Sequence, residues 1–419
     1  MMKSLPALAL ALASSLSIAA DTELDWRERF QSVTPTNFDQ GGAVSHQFHL
    51  QAESYLTTAT VTAPARALSL VMNPSQALAD LSVRHRNGEG PFSRYVAAEP
   101  WISSVIVLHG GEVVFEAYPR MQPDQRHFAW SVSKVVTSAV IAALVHDGLV
   151  DMEKTVAEYV PALAESEWAA VTLTDVANMS SGIDCLDSDG YQNPATCVYR
   201  MEETLGITAD RGYDTGLMAH LSGMGRRGSP GEVFEYVSAN TNVLGLVAEA
   251  AGGQPFAALL SEQIWRPIGA ESNALMAISV EGFSYYSGGL TARLRDIARF
   301  GQIFVSPQNF GVLSPALVDA MQHAEGVPFS EDRQQRHERA FGKDVPQRAG
   351  WQWDMIWGDG GMYKGGYLGQ GLYVDPERDL VIAWFGTGED FSAKQNEMPA
   401  VSRQIARSGL FRAQQAGAE

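Results

Sequence analysis

The sequence predicts an α+β fold: an antiparallel sheet built from strands near both ends of the chain, with flanking helices and a helical insertion. Three observations predict it. An apolar hairpin pattern lies at 104–118, and a second lies at 371–385. Helical spacing and irregular loops fill the stretch between them. Strands segregated to both ends with helices between them fit a layered sheet-and-helix architecture. The expected organisation is a discontinuous α/β domain, 21–146 with 285–419, interrupted by a mainly helical domain at 147–284.

The first twenty residues are expected to be a leader. Lys3 is a short positive region, Leu5 to Ala20 is small and apolar, and Ser17-Ile18-Ala19-Ala20 suits cleavage. This is the pattern of a secretory signal peptide, shorter than an ordinary membrane span. No cysteine follows at once, so a lipid anchor is not indicated. The expected localisation is periplasmic or secreted.

From 21 to about 100 the pattern gives only short extended pieces, at Val61-Thr62-Ala63-Pro64 and from Ala67 to Val71. Ser104 to Leu108 and Glu112 to Tyr118 then flank Gly110-Gly111 and predict a β-hairpin. The hairpin leads into a helix. Val132, Val135, Val136, Ala139, Val140, Ala143 and Leu144 form a helical stripe with one buried face. Gly148 supplies the left-handed residue that ends it.

Further along, Val171 to Met179 has a helical pattern, and Asp184 to Thr196 is a loop rich in Asp, Gly, Asn and Pro. Val243 to Ala251 is an apolar helix stopped by Gly252-Gly253. A helix after Gly288-Gly289-Leu290 runs through Ile297, Phe300 and Ile303, and Leu313 to Met321 suggests another. Residues 337–350 show no clear pattern. Gly371 to Val374 and Leu380 to Phe385 read as strands joined by Asp375 to Asp379, and the tail from Ala393 suits a terminal helix.

Composition narrows the function classes. Hydrophobic residues are 45% and charged residues 19% of 419, an ordinary globular mixture. A net charge of −18 disfavours nucleic acid and would be repelled by an anionic membrane. Beyond the leader no segment is long and apolar enough for stable membrane insertion. Cys185 and Cys197 can close a short loop as a disulfide, worth roughly 3 kcal/mol, or remain two buried thiols. They are too few, with no histidine at ligand spacing, for a zinc site.

The chemistry starts at Ser131-Val132-Ser133-Lys134. The serine sits at a helix start and the lysine shares its face three residues on. Burial disfavours a charged lysine, and the neutral amine can take the serine proton. Alone the pair is weak, because a chain this long holds about one Ser-x-x-Lys by chance. A surface lysine near a helix-capping serine reads the same way.

Two later segments add to it. Ser229-Pro230-Gly231 feeds a short apolar piece that ends in Tyr236, just before the helix containing Val243. A tyrosine there can shuttle protons between serine, lysine and leaving group, and Ser238 lies two residues on. A core tyrosine with a satisfied hydroxyl is the plain alternative. The third segment is Tyr363-Lys364-Gly365-Gly366-Tyr367-Leu368-Gly369-Gln370-Gly371. Its glycines let a substrate approach the backbone, and its amides can serve as oxyanion donors. A glycine-rich turn beside an edge strand is the alternative here.

Together and in this order, the three segments resemble the motifs of the serine β-lactamase and penicillin-binding-protein superfamily: Ser-x-x-Lys, Tyr-x-Asn or Ser-x-Asn, and Lys/His-Thr-Gly. The look is of the class C-like branch, and within it of the 6-aminohexanoate-dimer (nylon oligomer) hydrolases. Tyr236-Val237-Ser238-Ala239-Asn240-Thr241 resembles their Tyr-x-Ser-x-Asn-Thr. Gly369 to Pro376 resembles their Gly-Gln-x-x-x-Val-Asp-Pro. The loop from Asp187 to Pro194 resembles the one that carries a substrate-contacting tyrosine there, and Gly350-Trp351-Gln352-Trp353 their aromatic segment.

The resemblance implies a β-lactamase/transpeptidase-like fold and a cofactor-free, metal-free acyl-enzyme mechanism on a small ester or amide. It implies Ser131 as nucleophile, Lys134 as its base and Tyr236 as proton carrier. The amides of Ser131 and Tyr367 would hold the oxyanion, and Ser238, Lys364, Gly366 and Tyr191 would contact substrate. Ser238 stands where β-lactamases have asparagine, and the third motif is Lys-Gly-Gly without the middle hydroxyl. Both departures favour an esterase or amidase over a true β-lactamase or D-amino peptidase. A non-catalytic binding protein that kept the fold is the alternative of another class.

Competing signals are thin. Gly223-x-Gly225-x-x-Gly228 follows no convincing strand, and Pro230 interrupts any helix after it. Gly-x-Ser-x-Gly and His-Glu-x-x-His are absent from the sequence, which disfavours an α/β-hydrolase and a metalloprotease.

Overall fold

The computed structural model describes residues 26–306, 310–323, 326–390 and 396–411. The expected leader, residues 1–20, lies outside them. The centre is an eight-stranded sheet. Its strands in chain order are β1 (Val71–Met72), β2 (Ile102–His109), β3 (Glu112–Ala117), β4 (Arg348–Gly350), β5 (Trp353–Ile356), β6 (Met362–Gly365), β7 (Gly371–Asp375) and β8 (Leu380–Gly386). Across the sheet they run β4-β5-β6-β7-β8-β2-β3-β1. The C-terminal β8 pairs antiparallel with the N-terminal β2, Val381 opposite Leu108 and Ala383 opposite Ile106. This is the two-ended antiparallel sheet the sequence predicts, with β1 added as a short parallel edge.

Both hairpins form where the pattern puts them. Gly110 and Gly111 have φ of 57° and 79°, a combination that only glycine adopts readily and that a two-residue hairpin turn requires. The strands are buried on both faces and alternate between two cores. Ile106, Leu108, Val381, Ala383 and Phe385 face one, and Val105, Val107, Leu380, Ile382 and Trp384 face the other.

Five helices bear on the position of the catalytic candidates: α1 (Gly42–Leu50), α2 (Ser133–His146), α3 (Ser238–Gly252), α4 (Leu294–Val305) and α5 (Met398–Ala406). Helix α4 packs on β2, β7 and β8, and α3 packs on α2. From 147 to 273 the chain holds helices and turns with no named strand. Among the described residues, no single helix is long and apolar enough to cross a membrane.

The structure departs from expectation, or decides between its alternatives, in four places. The stretch from 21 to 100 contains helices, including α1, and, besides β1, three strands. Thr58–Val61 joins Ala274–Ala277, Leu290–Ala292 and His127–Phe128 in a second sheet, and Ser82–His85 pairs with Gly88–Pro91 in a third. The Lys364 segment is an inner strand, β6, flanked by β5 and β7, and not the neighbour of an edge. The patternless 337–350 takes in the last five residues of a helix, Glu331–Phe341, which buries only His337 and so carries no apolar stripe.

The fourth departure is α2, expected to bury one face. Every residue from Ser133 to Leu144 is buried. Its polar side is covered by the 286–290 segment. The Ser133 hydroxyl accepts from the Leu290 N–H at 3.1 Å, and Thr137 donates to the Tyr286 carbonyl at 2.8 Å. Hydrogen bonding makes that second face tolerable inside.

Candidate active site

Ser131 is set by the turn before α2. Trp130 has φ 47°, the left-handed region that costs a non-glycine residue about 1–2 kcal/mol. That turn carries the chain from strand His127–Phe128 into a 3₁₀ turn, Trp130–Val132, and then α2. Ser131 stays partly exposed while Val132, Ser133 and Lys134 are buried.

Lys134 reaches back as the helical spacing requires. Its Nζ donates to Ser131 Oγ at 3.1 Å and to the Ser287 carbonyl at 2.8 Å. Burial pulls its pKa down to about 7, with Lys364 acting the same way against Asp187, Asp354 and Glu202. A fraction of the amine is therefore neutral near pH 7. In that state the Ser131 hydroxyl donates to the nitrogen lone pair.

Tyr236 completes the group from the segment before α3. Lys364 Nζ donates to its hydroxyl at 3.0 Å and lies 4.4 Å from the ring centroid, while Lys134 Nζ lies 5.2 Å from it. Burial, and then the Asp354 and Asp187 carboxylates, push the phenol well above its ordinary pKa; the Ser131 hydroxyl acts in the other direction. The three residues named from the sequence thus meet at one place.

Lys364 is fully buried and ion-paired to Asp354 at 2.6 Å, so it stands behind Tyr236. Ser238 is also buried, its N–H and hydroxyl donating to Asp187 at 2.7 and 2.5 Å. The Tyr191 hydroxyl donates to the same carboxylate. Asp187 lies between Cys185 and Cys197, which form a disulfide. The disulfide closes the 185–197 loop on itself, and the Asp187 carboxylate ties that loop to the start of α3.

The third motif meets the nucleophile turn through glycine. A β-carbon on Gly366 would come within 2.7 Å of the Ala129 carbonyl and the Gln370 side chain. Only the bare backbone fits there. The N–H groups of Ser131 and Tyr367 donate no hydrogen bond among the described residues. The Tyr367 ring packs edge-on against Trp130, with centroids 5.5 Å apart.

The cleft at Ser131 is lined by Asp39, Trp130, Tyr191, Glu202, Tyr285 and Tyr367. Burial pushes the Glu202 carboxyl up to about 8, and Tyr285 donates to it at 2.7 Å. Burial likewise raises Asp39 to about 6, against its bond from Gln192. A larger open groove, lined by Arg84, Arg333, Arg336, Arg339 and Arg403, shares no lining residue with this cleft. Sequence reasoning missed Asp39, Asp187, Glu202, Ser287 and Asp354. Only Asp187 carried a signal, four residues before Tyr191 in the loop already singled out.

Comparison with known proteins gives the chain a family. The family profile described as Beta-lactamase matches residues 102–406. The 6-aminohexanoate-dimer hydrolase of Paenarthrobacter ureafaciens is 30% identical over 296 residues, covering 70% of this chain and 74% of that one. A solved Bacillus anthracis structure titled for the same hydrolase has a TM-score of 0.76 at 23% identity. It covers 90% of this chain and 96% of that one. EstCE1, a hydrolase with promiscuous acyltransferase activity, has a TM-score of 0.57 at 13% identity, covering 74% and 96%. At these identities the two structures speak for the fold.

Proposed function

We propose, from the premise that the chain belongs to the beta-lactamase family and is a serine hydrolase, that it cleaves an amide or ester through an acyl-enzyme on Ser131. The observation that carries the reading is the buried Lys134 amine 3.1 Å from Ser131 Oγ, its pKa near 7. Lys134 takes the serine proton as Oγ attacks the carbonyl carbon. The free N–H groups of Ser131 and Tyr367 receive the oxyanion. Tyr236 gives its proton to the departing amine or alcohol and regains one from Lys134. Water then attacks the acyl-enzyme, and the same groups return a proton to Oγ. Lys364 and Ser238 act as supports: one orients the Tyr236 hydroxyl, the other fixes the loop that presents Tyr191.

The cleft suggests the substrate. Glu202 and Asp39 line the space beside Ser131, where an acyl chain ending in an ammonium would find two carboxyls and, by its charge, draw the raised Glu202 into its ionised form. A 6-aminohexanoyl group, the acyl half of the substrate named in the relative's title, has that chemistry. Ser238 in place of asparagine, and the missing hydroxyl in Lys364-Gly365-Gly366, weigh against β-lactams. We also propose export. The apolar leader supports it, and so does the Cys185–Cys197 disulfide, a bond that persists in oxidising compartments.

The test is substrate profiling with covalent trapping. The purified mature protein is given nitrophenyl esters, linear aminoacyl amides and nitrocefin, then a fluorophosphonate, with peptide mass spectrometry. Ester and amide turnover with the label on Ser131 is expected, and nitrocefin slow or untouched. A label elsewhere, or none, sinks the proposal. The intact mass reads whether the chain begins after Ala19 or Ala20, as export requires. A companion variant tests the acyl pocket. Glu202→Gln should raise KM about tenfold for ammonium-bearing acyl groups, the scale of one charged hydrogen bond. Uncharged butyrate esters should change less than about threefold. Equal effects on both would remove Glu202 from the substrate reading.

A further inference from the structure

We propose that His49, on a helix that precedes the family-matched region, is a positioning residue that sets the spacing between the two oxyanion amides. The inference rests on the oxyanion role proposed for the Ser131 and Tyr367 N–H groups. His49 lies in α1, well before residue 102, and is fully buried.

Its hydrogen bonds form a chain with fixed direction. Trp130 Nε1 donates to His49 Nε2 at 2.7 Å. An indole nitrogen only donates, so Nε2 is the acceptor and Nδ1 carries the proton. Nδ1 then donates to Thr387 Oγ1 at 2.8 Å. The threonine hydroxyl is left to donate to His46 Nδ1, a longer contact of 3.4 Å, and His46 Nε2 donates to the Arg120 carbonyl at 3.1 Å. Burial, with His127 and His46 beside it, holds His49 well below the ordinary histidine pKa, so this direction does not reverse near neutrality.

The two ends of the imidazole reach the two halves of the oxyanion site. On one side is Trp130, the residue before Ser131, held at φ 47°. On the other is Thr387, whose neighbour Gly388 donates its N–H to the Leu368 carbonyl at 2.7 Å. Leu368 follows Tyr367 and is itself left-handed, at φ 70°. Each oxyanion amide therefore adjoins a non-glycine residue in an unfavourable backbone region. Such conformations persist when the surroundings over-determine them, and His49 is the side chain that bonds toward both. Ring packing of Trp130 on Phe38, Phe48 and Phe128 fixes the indole plane. The bond to His49 fixes its depth.

A histidine that merely fills the core would act on stability and leave the balance of kcat and KM alone. The experiment measures kcat and KM on an uncharged nitrophenyl ester, and the fluorophosphonate labelling rate, in the full chain. The variants are His49→Leu, His49→Gln, Trp130→Phe and the double His49→Leu/Trp130→Phe. His49→Leu should lower kcat roughly 10²-fold, the scale of one oxyanion donor, with KM within about threefold. His49→Gln keeps an acceptor for the indole and should recover most of the loss. Trp130→Phe removes the N–H donor together with part of the indole ring and should lose at least as much as His49→Leu, and the double variant should be no worse than Trp130→Phe alone.

An unchanged kcat in His49→Leu overturns the proposal, as do a glutamine variant no better than leucine and losses that multiply in the double. If His49→Leu does not fold, Thr387→Val and Trp130→Phe decide it. A kcat loss at constant KM in both supports the clamp, and full activity in either overturns it. A wild-type protein that neither turns over nor labels at Ser131 sinks the underlying reading. Active wild type with unaffected variants sinks this proposal alone.

Discussion

Ser131→Ala should lower kcat by about 10⁴-fold or more and abolish fluorophosphonate labelling, with KM nearly unchanged. The reason is that, among the described residues, no other serine or threonine hydroxyl hydrogen-bonds a buried amine, and the Tyr236 phenol beside Lys364 is held well above its ordinary pKa. Ser238, the nearest in sequence to Tyr236, has its hydroxyl occupied by Asp187. Residual rate would come from the unused amides of Ser131 and Tyr367, which the substitution keeps. Folding should survive, because Ser131 is partly exposed and its hydroxyl bond to Lys134 is a single contact. Thermal unfolding alongside steady-state kinetics checks both halves. Retention of a tenth of the wild-type kcat would place the nucleophile elsewhere.

Lys134→Met should be inactive and more stable. The loss of a general base corresponds to about 10²–10⁴-fold in kcat. The stability change is a matter of linkage. The ordinary lysine value is 10.5 and the folded value about 7. Between them the unfolded chain binds more protons than the native one, so stability rises with pH across that window. Below pH 7 the buried lysine destabilises the fold by an amount on the order of 4–5 kcal/mol, a penalty that fades towards pH 10. Methionine removes it but leaves the Ser287 carbonyl without its donor, which costs about 1–3 kcal/mol. The net gain should be about 1–4 kcal/mol at pH 7 and should turn into a loss of about 1–3 kcal/mol near pH 10, where only the cost of the orphaned carbonyl remains. Urea denaturation of both proteins at pH 6.5 and 9.5 measures it; a variant equally destabilised at both would show that the amine is not strained by burial. In the wild type, kcat/KM should rise through about pH 7 as Lys134 loses its proton.

The features legible in the sequence are those that leave a local mark. The turn at Gly110-Gly111 and the alternating runs of β7 and β8 are local, and they were legible. So were Ser131 and Lys134, separated by one helical turn, and Tyr236 ahead of an apolar helix. The carboxylates were not. Asp39 and Glu202 matter because they are buried, and a buried carboxylate is spelled like an exposed one. Asp354 gains its role through a partner across the β5–β6 pairing, which no spacing along the chain encodes. The all-round burial of α2 was hidden for a related reason. Ser133 and Thr137 look solvent-facing until the 286–290 segment folds over them. Helix Glu331–Phe341 escaped because its charged surface left nothing periodic to count.

The pairing of Leu380 with His109 has a consequence for how the polypeptide comes into being. A ribosome has released nearly the whole molecule before the middle of the sheet can close, since β2 must wait for β8. Contacts this distant in sequence form slowly. Until then the nascent chain lacks both its core and the Lys364 arm of its chemistry. Such a chain keeps its central sheet open, and its chemistry idle, through most of its synthesis.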